Sequence, residues 1–243
     1  MYLTVLNSLT QSEKEHAIES LIEQSSPRQS FFMMVSLAIL MATVGLLANS
    51  VAIIIGSMLI APLLYPLLSL SLGIVLSDRL LMLRSIYTLT KSSVLSVILA
   101  MLVTLIFSPH TAPLTPEILS RSEHSVAYLV VALIAGFAAS FAFVKPQLNE
   151  GLAGVAISVA LIPPLAVVGI GLARLNWVLI QGSLILFLLN AVGIIFSSVL
   201  VFSVMNLQSE KRTARTAFKK DNSQILKEVE KAKARQESEE VTG

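Results

Sequence analysis

The sequence predicts an all-α protein that crosses a membrane several times, and its composition and the continuity of its apolar runs support this prediction. Hydrophobic residues make up 55% of the 243 residues and charged residues only 13%, with a mean hydropathy of +0.80. A soluble domain carries about 25% charged residues, because its surface needs polar cover. The apolar excess must therefore face lipid, which excludes a soluble enzyme, a disordered chain and a nucleic-acid-binding domain.

Six apolar runs have about the length needed to cross a hydrocarbon core, which takes about 20 helical residues. The runs are continuous and do not alternate with period two, so they predict helices and not barrel strands. The predicted spans are Phe31–Ala48, Val51–Leu76, Leu89–Phe107, Val126–Val144, Gly151–Ala173 and Val178–Met205. A half-buried re-entrant segment is the alternative for either of the first two.

Lys and Arg residues are distributed unevenly between the two sides that six spans define. With both termini on one side, that side holds fifteen of the 17 Lys and Arg residues, and the other holds only Arg121 and Arg174. Loops rich in Lys and Arg remain in the cytoplasm. The sequence therefore predicts a multi-pass protein of the cytoplasmic membrane with both termini cytoplasmic.

Two polar segments flank the transmembrane domain, which covers residues 31–205. In the cytoplasmic segment 1–30, Ser12–Gln24 is predicted to form a short amphipathic helix, with Ser12 and Glu15 as a capping box. Residues 206–243 form a charged cytoplasmic tail, predicted to be a solvated and partly frayed helix. A coiled coil is the weaker alternative, because the tail has fewer than the three to four heptads that would indicate one.

The transmembrane domain divides into two halves of three spans, residues 31–107 and 126–205. In each half the middle span follows a short polar turn and is interrupted near its centre by prolines. Because three is an odd number, the second half enters the membrane from the opposite side. The sequence therefore predicts an inverted repeat, an architecture common among secondary transporters.

The prolines of the two middle spans are predicted to form a candidate site near the bilayer midplane. An offset of 101 residues places Ser57 on Ser158 and Pro62 on Pro163. Proline has no N–H and clashes with the carbonyl four residues back. That carbonyl loses its helical hydrogen bond, so a side chain, water or a solute must donate to it instead. Structural kinks are the alternative for the prolines, and an interhelical hydrogen bond is the alternative for Asn190. The candidate solute or ion site comprises Ser57, Met58, Pro62, Pro66, Ser158, Val159, Ala160, Pro163, Pro164 and Asn190.

Markers of other functions are missing from the sequence. No ionisable residue lies near the centre of a predicted span, which disfavours a proton relay. No catalytic, phosphate-binding or metal-ligand spacing occurs, so we expect no enzyme activity, no cofactor and no metal. The partners we expect are the lipid bilayer, an unknown small solute or ion and, in a homo-oligomer, a second copy of the chain. The net charge of +2 is too small for a nucleic-acid partner.

Two proline-bearing segments resemble a known family. They are Ile55–Pro62 and the stretch from Gly154 through Ser158, Pro163 and Pro164 to Gly171. From about Phe31 to Met205 the chain resembles the prokaryotic membrane proteins grouped as domain of unknown function 389, also called the uncharacterised hydrophobic domain family. The resemblance implies a polytopic prokaryotic membrane domain and brings no established substrate with it.

The leading functional hypothesis is a transporter-like or channel-like permease, built from two inverted three-helix halves, with its site between the broken spans two and five. The alternative is a non-transporting membrane scaffold or sensory partner, whose prolines only shape packing and whose cytoplasmic tail carries the interaction. A membrane enzyme comes third and has no motif in its favour.

Overall fold

A computed structural model of the chain describes residues 10–108, 113–123, 126–145 and 150–242, and for residues 126, 150–160 and 233–242 it describes the backbone alone. This part of the chain contains ten α-helices, one short 3-10 helix and no strand, so the all-α prediction is confirmed. The helices are α1 (Gln11–Gln24), α2 (Gln29–Leu47), α3 (Val51–Ile60), α4 (Leu64–Leu76), α5 (Arg79–Phe107), α6 (Pro116–Ser120), α7 (Val126–Val144), α8 (Glu150–Ala173), α9 (Trp177–Val204) and α10 (Lys211–Thr242), with the 3-10 helix at Leu207–Glu210.

Helix α1 begins earlier than the sequence predicts. Its N-cap is Thr10, whose hydroxyl accepts a hydrogen bond from the backbone N–H of Glu13, while the Glu13 carboxylate accepts one from the Thr10 N–H at 2.8 Å. The capping box predicted at Ser12 is therefore wrong, because the same spacing occurs two residues earlier. The earlier start also lets the Gln11 amide donate to Glu210 at 2.9 Å, a contact that no local pattern reveals.

Four described helices have the length and apolar composition of a membrane span: Gln29–Leu47, Arg79–Phe107, Ala127–Val144 and Trp177–Val204. Helices α3 and α4 make a fifth if the pair, bent by 49°, counts as one span. The described side chains of α8 cover only Leu161–Ala173, a shorter apolar helix. Four to five of the six predicted spans therefore meet the requirements of a membrane-crossing helix in the described part of the chain.

Helix α8 is the central helix of the bundle. Every residue from Leu161 to Ile170 is buried, and α2, α3, α5, α7 and α9 all pack against it. The helix continues through Pro163 and Pro164, so the predicted interruption of span five is wrong. A proline inside a helix costs about 3 kcal/mol or more. Packing against neighbouring helices allows a membrane helix to tolerate that cost.

Three helix–helix turns share one geometry. In each, a residue with positive φ (49° to 53°) is followed by the N-cap of the next helix. The N-cap N–H donates at 2.9 Å to the carbonyl of a glycine five residues before it. A Cβ on that glycine would lie 3.0–3.2 Å from a backbone nitrogen of the next helix, so glycine permits the close approach. The glycines are Gly45, Gly73 and Gly171, and the N-caps are Ser50, Asp78 and Asn176.

The bundle has two ends that differ in composition. At the first, which we call the tail end, α10 packs against α1, and Arg84 in the first turns of α5 forms an ion pair with Asp221 at 2.7 Å. At the second, the loop end, the Thr115 hydroxyl before α6 donates to the carbonyl of Leu46 at 2.8 Å. The first and last described helices, α1 and α10, therefore lie at the same end of the bundle.

The charged C-terminal tail is only partly solvated. Ala214, Ala217 and Asp221 of α10 are buried, so the prediction of a solvated helix is wrong for one face of the first three turns. Two of these positions are alanines, whose small side chains allow close packing, and Asp221 is paired with Arg28 and Arg84. Farther along the helix, Leu226 is 70% exposed and Val229 is 48% exposed, as the prediction required.

Candidate functional site

The candidate site is centred on the break between α3 and α4. Ala61 is extended (φ −76°, ψ 120°), and helix resumes at Leu64. The carbonyl of Pro62 has no donor four residues later, because that residue is Pro66. It accepts instead from the N–H of Tyr65 at 3.3 Å. Pro62 and Pro66 each remove one helical hydrogen bond, and this turn replaces the one lost at Pro66.

The break divides the apolar pair α3–α4 into two helices of unequal length. The ten residues of α3 extend for about 15 Å and the thirteen of α4 for about 20 Å. Ala61, Leu63 and Leu64 are no more than 8% exposed, so this backbone faces protein and not the outside of the bundle. Within a membrane, non-helical backbone occurs only where protein buries it or where it lines a cavity.

Ser57 and Met58 lie one turn before the break. Both are buried, and the Ser57 hydroxyl donates to the carbonyl of Ile54 at 2.6 Å in its own helix. The Ser57 proton is therefore used within α3, while its oxygen can still accept. The Met58 carbonyl lies four residues before Pro62, which has no N–H to offer it.

The second half of the candidate site lies on α8 and α9. Pro163 and Pro164 are buried in α8, which packs directly against α3. Asn190 is 4% exposed on α9, which packs against both α8 and α4. The side chains of Ser158, Val159 and Ala160 lie outside the described ones. The helices that carry the two predicted halves of the site are thus neighbours.

Sequence reasoning missed an ionic cluster at the tail end. The Asp221 carboxylate accepts hydrogen bonds from Arg28 at 2.7 Å, from Arg84 at 2.7 Å and from the Ser26 hydroxyl at 2.9 Å. The Arg84 guanidinium also lies 4.5 Å from the centre of the Phe218 ring. One feature of the sequence could have indicated this cluster. Ala214, Ala217 and Asp221 are three and four residues apart, the spacing that places residues on one face of a helix.

A second ion pair ties the tail to the turn between α4 and α5. Asp78 accepts from the backbone N–H groups of Leu80 and Leu81 as the N-cap of α5, and from Arg215 Nε at 3.1 Å. Burial raises the pKa of Asp78, but the hydrogen bonds from Arg215, Leu81 and Leu80 together outweigh burial and leave this pKa below the ordinary value of 3.8.

The lowered pKa of Asp78 predicts an acid-sensitive attachment of the tail. The ionised carboxylate stabilises the fold above about pH 4, and this stabilisation is lost as the pH falls from 3.8 through the lower pKa of the folded protein. Asp78→Asn keeps a good N-cap but has no carboxylate, so it should lack this stabilisation at pH 6, a loss of at most about 1 kcal/mol because Arg215 is exposed. Thermal unfolding of both proteins between pH 3 and 6 measures it. Parallel pH curves for the two proteins would contradict the prediction.

The all-helical fold and its apolar helices are those of a polytopic membrane protein. The chain belongs to the family described as domain of unknown function 389, whose model matches residues 58–196. The matched range includes Pro62, both α8 prolines and Asn190, so the family resemblance that the sequence indicates is confirmed.

A relative supports the same assignment. The chain is 35% identical over 178 residues to an uncharacterized protein of Methanocaldococcus jannaschii. The alignment covers 72% of this chain and 54% of that protein, so the chain spans about half the length of the relative it matches. No solved structure matches the chain.

Proposed function

We propose that the chain is a transporter-like or channel-like permease whose solute site lies at the break between α3 and α4, beside α8. The observation that supports this proposal best is the non-helical backbone of Ala61–Leu63 between two apolar helices, with the side chains of Ala61 and Leu63 buried. A helix end leaves its last carbonyls without intrahelical partners, and an unpaired carbonyl is costly in hydrocarbon. A small solute or ion bound by these carbonyls would remove that cost. The proposal assigns no catalysis and no cofactor to the chain.

The same proposal includes six membrane crossings, because successive helices finish at alternate ends of the bundle. Helix α2 finishes at the loop end, and so do α5 and α8, where Arg174 donates to Ser108 at 2.6 Å. Helix α4 finishes at the tail end, where Lys211 donates to the carbonyl of Ser77 at 3.2 Å. Helices α7 and α9 finish there too, beside α1. The 24 residues of α8 extend for about 36 Å, enough to cross a bilayer.

An inverted repeat within the proposal is supported by two turns that correspond. The two turns have the same arrangement, one from Gly73 to Met82 and the other from Gly171 to Ile180. In each, the positive-φ residue, the N-cap and the glycine contact occur at corresponding positions, 98 residues apart. They lie at opposite ends of the bundle, as inversion requires.

The repeat also accounts for the difference between the two middle spans. The offset is 101 residues at the prolines and 98 at the turns, so the first half has three more residues between these points. Three residues, Ala61–Leu63, are non-helical in the first half. The extra residues follow Pro62 directly beside the break, and α8, which lacks them, continues as a helix.

The orientation of the proposed permease follows from charge. The tail end carries most of the Lys and Arg residues, including Arg28, Arg84 and Arg215. Positively charged segments remain in the cytoplasm. We therefore place the tail end, with both termini, in the cytoplasm of a cell whose membrane holds the chain.

Cysteine accessibility tests the solute site directly, because the chain has no native thiol. Both break positions are buried in this structure, so a solute pathway must open to reach them; we then expect Ala61→Cys and Leu63→Cys to react with a membrane-impermeant thiol reagent in sealed vesicles. Ala139→Cys, a fully buried position on α7, is the matched control and should be protected. Adding Pro62→Ala, which restores an N–H at the break, should slow labelling of Ala61→Cys by about tenfold. Protection of both break positions to the level of Ala139 would refute the proposal.

The scaffold alternative has one observation in its favour, the exposed apolar residues Leu226 and Val229 on the distal part of α10. Truncation after Asp221 removes them and keeps the contacts of Asp221 with Arg28 and Arg84. A scaffold would lose its function on this truncation, whereas a permease would keep water access at the break. Measuring labelling of Ala61→Cys in the truncated chain separates the two functions.

A further inference from the structure

A groove of about 460 Å³ lies at the tail end, between the α4–α5 turn and the first turns of α10. One wall runs from Ser77 to Leu81, and the other is formed by Ala214, Arg215, Phe218 and Lys219. This groove is separate from the break between α3 and α4, and the permease proposal does not use it.

The walls of the groove combine apolar and basic side chains. Leu80, Leu81 and Phe218 supply the apolar part. Arg79 and Lys219 are both exposed, and neither has a hydrogen-bond or ion-pair partner among the residues that the structure describes. The carboxylate of Asp78 is already engaged by Arg215, so it does not neutralise the other two cations. Two uncompensated positive charges therefore face an amphipathic groove.

A second basic cleft adjoins the groove along α10. Its volume is about 420 Å³, and it shares Arg215 and Lys219 with the groove while adding Lys211 and Arg212. No acidic side chain lines it. The positive surface therefore extends beyond one pair of cations.

The groove lies where lipid headgroups are expected. It begins directly after the apolar helix α4 ends at Leu76. On the adjacent first turns of α5, Leu80 is 64% exposed and Leu83 is 52% exposed, on the outside of the bundle. Apolar side chains exposed beside a basic groove at the end of a membrane helix match both parts of a phospholipid, its acyl chains and its charged headgroup.

We propose that this groove binds the headgroup of an anionic phospholipid. The phosphate lies between Arg79 and Lys219, and the acyl chains run along Leu80 and Leu83 toward the bilayer core. Basic pockets at the cytoplasmic ends of transmembrane helices suit such headgroups. The proposal is independent of what, if anything, the bundle transports.

Native mass spectrometry of the full chain in a neutral detergent tests the proposal, with phosphatidylglycerol and phosphatidylcholine as probes. We expect the wild-type chain to retain phosphatidylglycerol in preference. Each cation lost should weaken this binding about fivefold, so Arg79→Gln with Lys219→Gln should weaken it about 25-fold. The control, Lys227→Gln with Lys231→Gln, makes the same charge change at exposed positions of α10 outside the groove and should have no such effect. Equal weakening by the two double variants would overturn the proposal.

Two further arms decide between a lipid site and a general anion site. The charge-conserving variant Arg79→Lys with Lys219→Arg should retain phosphatidylglycerol within about twofold, since it keeps both cations. Inorganic phosphate should not displace the lipid, because it lacks acyl chains to contact Leu80 and Leu83. Displacement by phosphate at a concentration similar to that of the lipid would overturn the proposal. Unchanged thermal unfolding of each variant verifies that the fold is retained.

Discussion

Replacing Asp221 with Asn is expected to release α10 from the bundle and to destabilise the packed state by about 3–5 kcal/mol. Asp221 is 5% exposed and accepts hydrogen bonds from Arg28, Arg84 and Ser26. The side chain of Arg84 is only 8% exposed. Removing the Asp221 carboxylate would leave the Arg84 guanidinium buried with no opposite charge. Such a charge is costly because water cannot solvate it fully.

Trypsin digestion and thermal unfolding in detergent measure the effect of Asp221→Asn. Cleavage at Lys219 and Lys220 should become faster than in the wild-type chain, and the unfolding temperature should fall. Glu228→Gln is the matched control, since it makes the same acid-to-amide change at an exposed position of α10. Similar cleavage of the two variants would contradict the view that Asp221 holds the tail on the bundle.

Gly169→Ala is expected to force α8 away from α5 and to destabilise the bundle by about 1–3 kcal/mol or more. A Cβ at this position would lie 2.5 Å from the Cβ of Ala100 and 2.6 Å from the carbonyl oxygen of Val97. The carbonyl belongs to the backbone of α5, so it cannot move aside unless the helix itself moves. Because α8 is central, the displacement would also disturb its other neighbours.

Gly56→Ala is the matched control for Gly169→Ala. Its Cβ would meet only the terminal methyl of Met41, at 2.9 Å, and a flexible side chain can move at little cost. Alanine also favours helix by about 1 kcal/mol over glycine. Comparing the thermal unfolding of both variants in one detergent should therefore give a lower unfolding temperature for Gly169→Ala alone. Equal losses would mean that the α5–α8 contact is not specially close.

Helix positions could be predicted well where apolar residues continue to the helix end. The predicted span Val178–Met205 corresponds to the helix Trp177–Val204, and Phe31–Ala48 corresponds to Gln29–Leu47. The third span was predicted from Leu89, but its helix begins at Arg79. Hydropathy identifies only the part of a helix that suits lipid. The start of this helix is set by its N-cap, Asp78, which lies outside the apolar run.

The candidate site was predictable only in part. Proline chemistry indicates a weakened helix at Pro62 and at Pro163 equally, yet only the first is a break. The ionic cluster of Asp221 joins residues 137 and 193 positions apart, Arg84 and Arg28, and no local pattern contains such a pairing. The basic groove has the same origin, because its two walls come from distant parts of the chain.

The order of residues by itself determined that this protein is helical and apolar enough for a membrane. Backbone hydrogen bonding in lipid and the transfer of side chains from water are local properties. Tertiary structure alone decided which proline span bends, which part of the tail is buried and where uncompensated charge collects. Those outcomes depend on what surrounds a residue. Helix α8 is packed against several other helices and remains helical, and Asp221 is paired with Arg28, the N-cap of α2, and with Arg84 of α5.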